Sequence, residues 1–270
     1  MADLLRDDPS VFLPASKELH FFSRDAEPLT AEGLRMYEQN FDRAAPGELC
    51  GEATPGYLRS RFAAKKVRSY IPEVRLLILV RDPIARALSA FLHAQRMRIF
   101  PKSMTFDDAV ERDARQHGAR WTSIVSDGYY DIGLSRWLDQ FPREQIHIVP
   151  LELLRTNYDH EMGAIYTHLN LEFPSAEPPP FPHVNEARHQ VLPQVNRLIV
   201  HKFPVGHPIR RGLDRPSRKL VDRPTPSTRT TTMLRELYAE RIQQLESLAS
   251  LDLAIWPTHP QFLMEPKDET

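Results

Sequence analysis

A chain of 270 residues, 41% hydrophobic and 26% charged, can bury one sizeable core, as a single large domain or a domain with an appendage. A formal charge of −1 gives no global reason to bind nucleic acid or an acidic membrane, so any anion site has to be local. The single cysteine, Cys50, excludes an internal disulfide, suits a reducing compartment and, as a lone thiol, reads as a small packed hydrophobe.

The first stretch, "MADLLRDDPSVFLPASKELHFF", enters a helical pattern at Met1, with Leu4 and Leu5 apolar, Asp3, Arg6, Asp7 and Asp8 polar, and no cap residue ahead of it. The ten opening residues are acidic and form no secretory signal, and the longest apolar run, Leu76 to Val80, is too short for a bilayer. The expectation is a cytoplasmic protein with no transmembrane segment and no nucleic-acid partner. In "SKELHFF" an extended backbone would turn Glu18 and His20 to one side and Lys17 and Leu19 to the other. Either Glu18 or His20 could serve as a general base. A carboxylate beside Phe21 and Phe22 would be partly desolvated, which strengthens its pull on a proton. Without context, a solvated charge at a strand mouth is the favoured reading. "GEATPGYL", with Gly51, Thr54, Pro55 and Gly56, signals a tight loop followed by an aromatic.

The run Val74 to Val80, between Pro72 and Asp82-Pro83, reads as a buried parallel strand. A helix follows, with Asp82 as N-cap, Pro83 at its first position and Ile84, Leu88, Phe91 and Leu92 at helical spacing. Arg81 leaves the C-terminal end of that strand, where open α/β sheets bind ligands. Ser89 lies six residues beyond Pro83, roughly 9 Å along the helix axis. An arginine fork and a directional hydroxyl would make a phosphate clamp. On spacing alone the favoured reading is plainer: an arginine paired with Asp82 and a serine bonded back into its helix.

"SMTFDDAVERDARQ" predicts a helix capped by Thr105 with Asp108 three residues on. Trp121, Tyr129 and Tyr130 could line a pocket or pack in the core. "SRWLDQFPREQIHIVPLELL" predicts a helix ending at Phe141-Pro142 and then a strand, and "DHEMGAIYTHLNL" another helix. Helix and strand alternate, which argues an α/β fold. "SAEPPPFPH" marks a break, and Asn185 beyond it reads as a turn residue. From Lys202 to Arg229 comes the most basic stretch present, and residues 176–230 form a Pro-rich and basic loop region within one domain spanning 1–270. A closing helix would carry Leu234, Leu237, Tyr238, Leu245 and Leu248 on one stripe. His93, His117, His147, His160 and His168 lack a metal-ligand spacing, so no metal is expected.

Taken in order, "LP..KELHFF", "GEATPGYL", "LLILVRDPIARALSAF", "GYYDIGLSRWLDQFPREQIHIVPLELL" and a closing helix ending near Trp256 resemble the PAPS-dependent sulfotransferases, in particular the bacterial branch related to the heparan sulfate sulfotransferases. The likeness runs from Met1 to about Trp256. It implies a P-loop-like three-layer α/β fold, with a central parallel sheet flanked by helices, that takes 3′-phosphoadenosine 5′-phosphosulfate (PAPS) as co-substrate and passes its sulfuryl group to a hydroxyl or amine. By this resemblance Arg81 and Ser89 hold the 3′-phosphate, Glu18 is the base, His20 stands next to it in that role, and Arg218 and Lys219 are candidates on a loop closing over the nucleotide. "GEATPGYL" would line the acceptor side. Glycosaminoglycan-modifying members carry a lysine where this chain has Ala53, so the resemblance does not bring their acceptor with it. Carbohydrate, lipid-headgroup and small-molecule acceptors stay open.

The resemblance also answers the uncapped start. In the family a first strand and a Lys-x-Gly-Thr-Thr/Ser loop precede this helix, so Met1 is expected to fall directly after that loop. A start placed too far downstream is the first explanation and a truncated gene the second. Without a loop to neutralise the departing phosphate, little catalysis is expected. A non-catalytic remnant binding adenosine 3′,5′-bisphosphate or a protein partner is the alternative. A small-molecule kinase is a third reading, against which stands the absence of a GxxxxGK[ST] motif.

Overall fold

The two runs that the sequence marks as strands, Val74 to Val80 and the one after Pro142, become one parallel pair, and of the first only Val80 is fully buried. In the computed structural model, which describes residues 1–16, 18–23, 29–116, 124–174, 188–190, 218–220 and 224–263, β1 (Val11–Phe12) pairs in parallel with β2 (Leu49–Cys50). β3 (Leu76–Val80) pairs in parallel with β4 (Ile146–Pro150), Leu76 opposite Ile146 through Val80 opposite Pro150. Among the described residues the parallel strands therefore form two separate pairs. The chain divides into two compact units, one of Met1–Pro83, Asp127–Pro182 and Met233–Thr270, the other of Ile84–Ser126 and His183–Thr232.

In the first unit, α1 (Ala2–Leu5) and β1 share a core with β4, α8 (Leu151–Thr156) and α9 (Tyr158–Leu169). Val149, Leu154 and Ile165 are fully enclosed there, each worth about 1.5–3 kcal/mol of burial. Tyr166 lies in the same core and donates its phenol to Asp8 Oδ2 at 2.6 Å, which ties α9 to the chain's first turns. A second cluster gathers Phe21, Phe22, Tyr37, Tyr57 and Tyr70, with ring centroids 4.8 Å apart for Phe21 and Tyr37 and 5.8 Å for Phe22 and Tyr57. It joins α2 (Ala31–Glu38), α3 (Gly56–Arg59) and α4 (Ala63–Tyr70) to the "HFF" segment. α3 also meets α7 (Tyr130–Leu138), where Gly133 is obligatory: a Cβ there would lie 2.7 Å from the Leu58 carbonyl oxygen.

α5 (Pro83–Arg96) starts at Pro83 as the sequence predicts. Asp82 has a use the sequence did not reveal, because its Oδ2 accepts the Thr258 N–H at 2.9 Å. In the second unit, Phe91 of α5 packs against Phe100 and against Phe106, the first residue of α6 (Phe106–Gln116). The predicted cap of α6 is present as a reciprocal box: Thr105 N–H donates to Asp108 Oδ2 at 3.0 Å, and Asp108 N–H to Thr105 Oγ1 at 3.1 Å. These bonds hold the Asp108 carboxyl below its ordinary range. β5 (Arg188–Gln190) and β6 (Arg218–Leu220) pair antiparallel, with His189 opposite Lys219 and Gln190 opposite Arg218. The remaining Pro-rich and basic residues up to Arg223, with Lys17, His117, Trp121 and Asn185, lie outside the described residues.

The closing helix, α10 (Thr228–Ala249), buries Leu234, Tyr238, Ile242, Leu245 and Ala249. Leu237 is 43% exposed and leaves the predicted stripe, because the enclosed face steps by four, four, three and four residues and passes it by. Tyr129 and Tyr130 resolve toward packing: Tyr129 sits edge-on to Tyr238, and Tyr130 is buried beside Trp256. Cys50 is exposed at the end of β2 instead of packed. No helix among the described residues is long and apolar enough to cross a membrane.

Candidate active site

Glu18 and His20 meet. His20 Nε2 lies 3.1 Å from Glu18 Oε2, with 53% and 41% of the two side chains exposed. The pairing agrees with the sequence reading, but its backbone origin differs. Residues 18–20 form no strand, and His20 has φ of +54°, in the left-handed region that few non-glycine residues occupy. The chain turns there, which drives Phe22 into the aromatic cluster and leaves the acid and the imidazole outside it. Phe21 stacks on Tyr37 and Phe22 meets the same ring edge-on, while the Glu18 side chain keeps 41% of its surface exposed.

The "GEATPGYL" loop packs directly against this turn. Thr54 Oγ1 accepts the His20 N–H at 3.4 Å, and Tyr57 Oη accepts the Phe22 N–H at 3.3 Å. Both hydroxyls donate onward to one carboxylate: Thr54 to Glu52 Oε2 at 2.9 Å, Tyr57 to Glu52 Oε1 at 2.8 Å. Burial first, and the Glu52 charge second, push the phenols of Tyr37 and Tyr57 up, so both stay protonated donors. Gly56 closes the approach; a Cβ there would sit 3.9 Å from His20 Nδ1. Sequence reasoning gave Glu52 and Tyr37 no role and took Tyr57 only as the aromatic after the turn, since the backbone partners of the loop's hydroxyls lie 34 and 35 residues away.

Arg81 follows the last residue of β3, half-buried, at the end of a parallel pair where α/β folds present ligands. Around that end Glu152 forms an anchor. Its Oε1 accepts the Asp82 N–H at 3.2 Å and its Oε2 the Trp256 indole N–H at 2.9 Å, and Trp256 is fully buried. With the Thr258 bond to Asp82, these contacts hold residues 256–258 against the strand end that carries Arg81. Glu152 was also missed, though it stands just past the end of β4, where the rule that selects Arg81 would have found it. Ser89 is exposed on α5 in the second unit, and Arg218 and Lys219 occupy β6 of that unit. No three potential metal ligands cluster among the described residues.

Residues 10–175 match the sulfotransferase family. Similar curated proteins include the human heparan sulfate glucosamine 3-O-sulfotransferase 3B1, 29% identical over 174 residues that cover 64% of this chain and 43% of the relative. The mouse heparan sulfate glucosamine 3-O-sulfotransferase 5 is 27% identical over 175 residues, 63% of this chain and 49% of the relative. The chain thus spans less than half the length of these relatives. The crystal structure of a sulfotransferase from Alicyclobacillus acidocaldarius superposes with a TM-score of 0.66 at 21% identity, over 94% of this chain and 91% of that one, so the two share a fold. Since one matched stretch, longer than half the chain, contains the Glu18–His20 pair, the Glu52 loop and Arg81, this protein belongs to the sulfotransferase family.

Proposed function

We propose that the protein transfers the sulfuryl group of PAPS to a hydroxyl or amine, with a carbohydrate hydroxyl as the acceptor. PAPS supplies an activated sulfur whose bond to a phosphate oxygen breaks as the acceptor oxygen bonds to it. Glu18 takes the acceptor's proton, and His20, 3.1 Å away, steadies the carboxylate's orientation. Their exposure suits them to an acceptor arriving from solvent. Arg81 offers its guanidinium to the 3′-phosphate. A half-buried arginine at a parallel strand end fits such an anion, and this placement is the observation that carries the reading. A carbohydrate as acceptor class is supported by relatives named for heparan sulfate glucosamine, while Ala53, where glycosaminoglycan-modifying members carry a lysine, sets this chain apart from their particular acceptor.

Calorimetric titration with adenosine 3′,5′-bisphosphate, with ATP as comparator, tests the donor side. The bisphosphate should bind more tightly than ATP, and Arg81→Ala should weaken it by roughly 10–100-fold, the value of a charged hydrogen-bond pair. Preference for ATP, or an unchanged Arg81→Ala affinity, contradicts the proposal. Bisphosphate binding with no sulfuryl transfer to any acceptor is the pattern of a non-catalytic binder.

A further inference from the structure

The two relays that end on Glu52 have a directional logic. An ionised carboxylate only accepts, so Thr54 and Tyr57 must both point their protons at it. Their oxygen lone pairs are then left facing the backbone N–H groups of His20 and Phe22, residues two apart on the segment that carries the acid and the imidazole. The first relay ends on the residue whose φ of +54° bends the chain there. A histidine in that conformation persists only where its surroundings hold it. Thr54 is 8% exposed, so water does not readily replace its hydroxyl.

We infer that Glu52 is a positioning residue: by fixing the hydroxyls of Thr54 and Tyr57 it holds the left-handed turn at His20, and so the contact between His20 and Glu18. The assignment of a catalytic purpose to that contact rests on the sulfotransferase reading; the mechanical coupling does not. Leucine at position 52 removes both acceptors, so neither hydroxyl is any longer oriented with its lone pairs toward its backbone N–H. Valine at position 54 cuts the His20 relay alone, while serine restores it.

Histidine-labelled full-length chain read by NMR tests this, with the His20 signal assigned by its loss in His20→Gln. Glu18→Gln should displace the His20 ring signal in the otherwise unaltered protein. In Thr54→Val and in Glu52→Leu the signal should already lie at the position of a solvent-exposed histidine, and adding Glu18→Gln should move it no further. Thr54→Ser should behave as the unaltered protein does. An equal response to Glu18→Gln in all backgrounds overturns the inference. Should Thr54→Val fail to fold, Glu52→Leu carries the comparison. Adenosine 3′,5′-bisphosphate titrated into the same samples separates the two ideas: no binding with the coupling intact removes the functional reading and leaves the positioning role in place.

Discussion

His147 of β4 and His168 of α9 stack with ring centroids 5.4 Å apart, and the Nε2 atoms of both are buried without a hydrogen-bond partner. Burial, reinforced by the neighbouring ring and by Arg75 and Arg143, pushes His168 down to about 4, and His147 is lowered chiefly by burial. Glu161 opposes the shift of His147, and a backbone hydrogen bond to Leu76 opposes that of His168; neither prevails. Unfolded, each imidazole takes a proton near its ordinary pKa of about 6.5, while the folded pair does not. The unfolded state therefore binds more protons between that value and about 4, so the pair's stability is full above it and is lost as pH falls through this window. After allowance for partial exposure, about 1–2 kcal/mol is at stake. The melting temperature should fall between pH 7 and pH 4.5, and His168→Leu should flatten that fall; an identical slope in both proteins would show that the pair does not titrate as described.

At the scale of elements, signals confined to a few residues were legible and those made by distant partners were not. The β3 run, Pro83 at the start of α5 and the Thr105–Asp108 box were all read from neighbours within one turn, and all appear. Glu18 and His20 were paired correctly for a partly mistaken reason: alternation along a strand was assumed, whereas a left-handed residue held from the "GEATPGYL" loop makes the pair. Leu237 failed because a hydrophobic residue can sit one step off a helix's enclosed face. Gly133 belongs to the same class, since nothing near it in sequence announces that α7 lies against the Leu58 carbonyl. Gly133→Ala should destabilise the protein by about 1–3 kcal/mol as α3 and α7 are forced apart. Thermal unfolding would measure it, and an unchanged midpoint would mean that the close approach is absent.

For the whole molecule, family membership and the shared fold explain why a strand-end arginine, an exposed acid–imidazole pair and the loop behind it occur in one matched stretch. The central claim is that Glu18 takes the acceptor's proton while Arg81 holds the donor. Its most direct test follows transfer of labelled sulfate from PAPS to a heparan-type polysaccharide, with adenosine 3′,5′-bisphosphate affinity measured on the same proteins. In the full-length protein that includes the phosphosulfate loop, Glu18→Gln should lower transfer by roughly 10²–10⁴-fold with bisphosphate affinity unchanged, as expected when a general base is removed and donor binding is not. Transfer by Glu18→Gln at the rate of the unaltered protein would contradict the assignment and turn attention to His20.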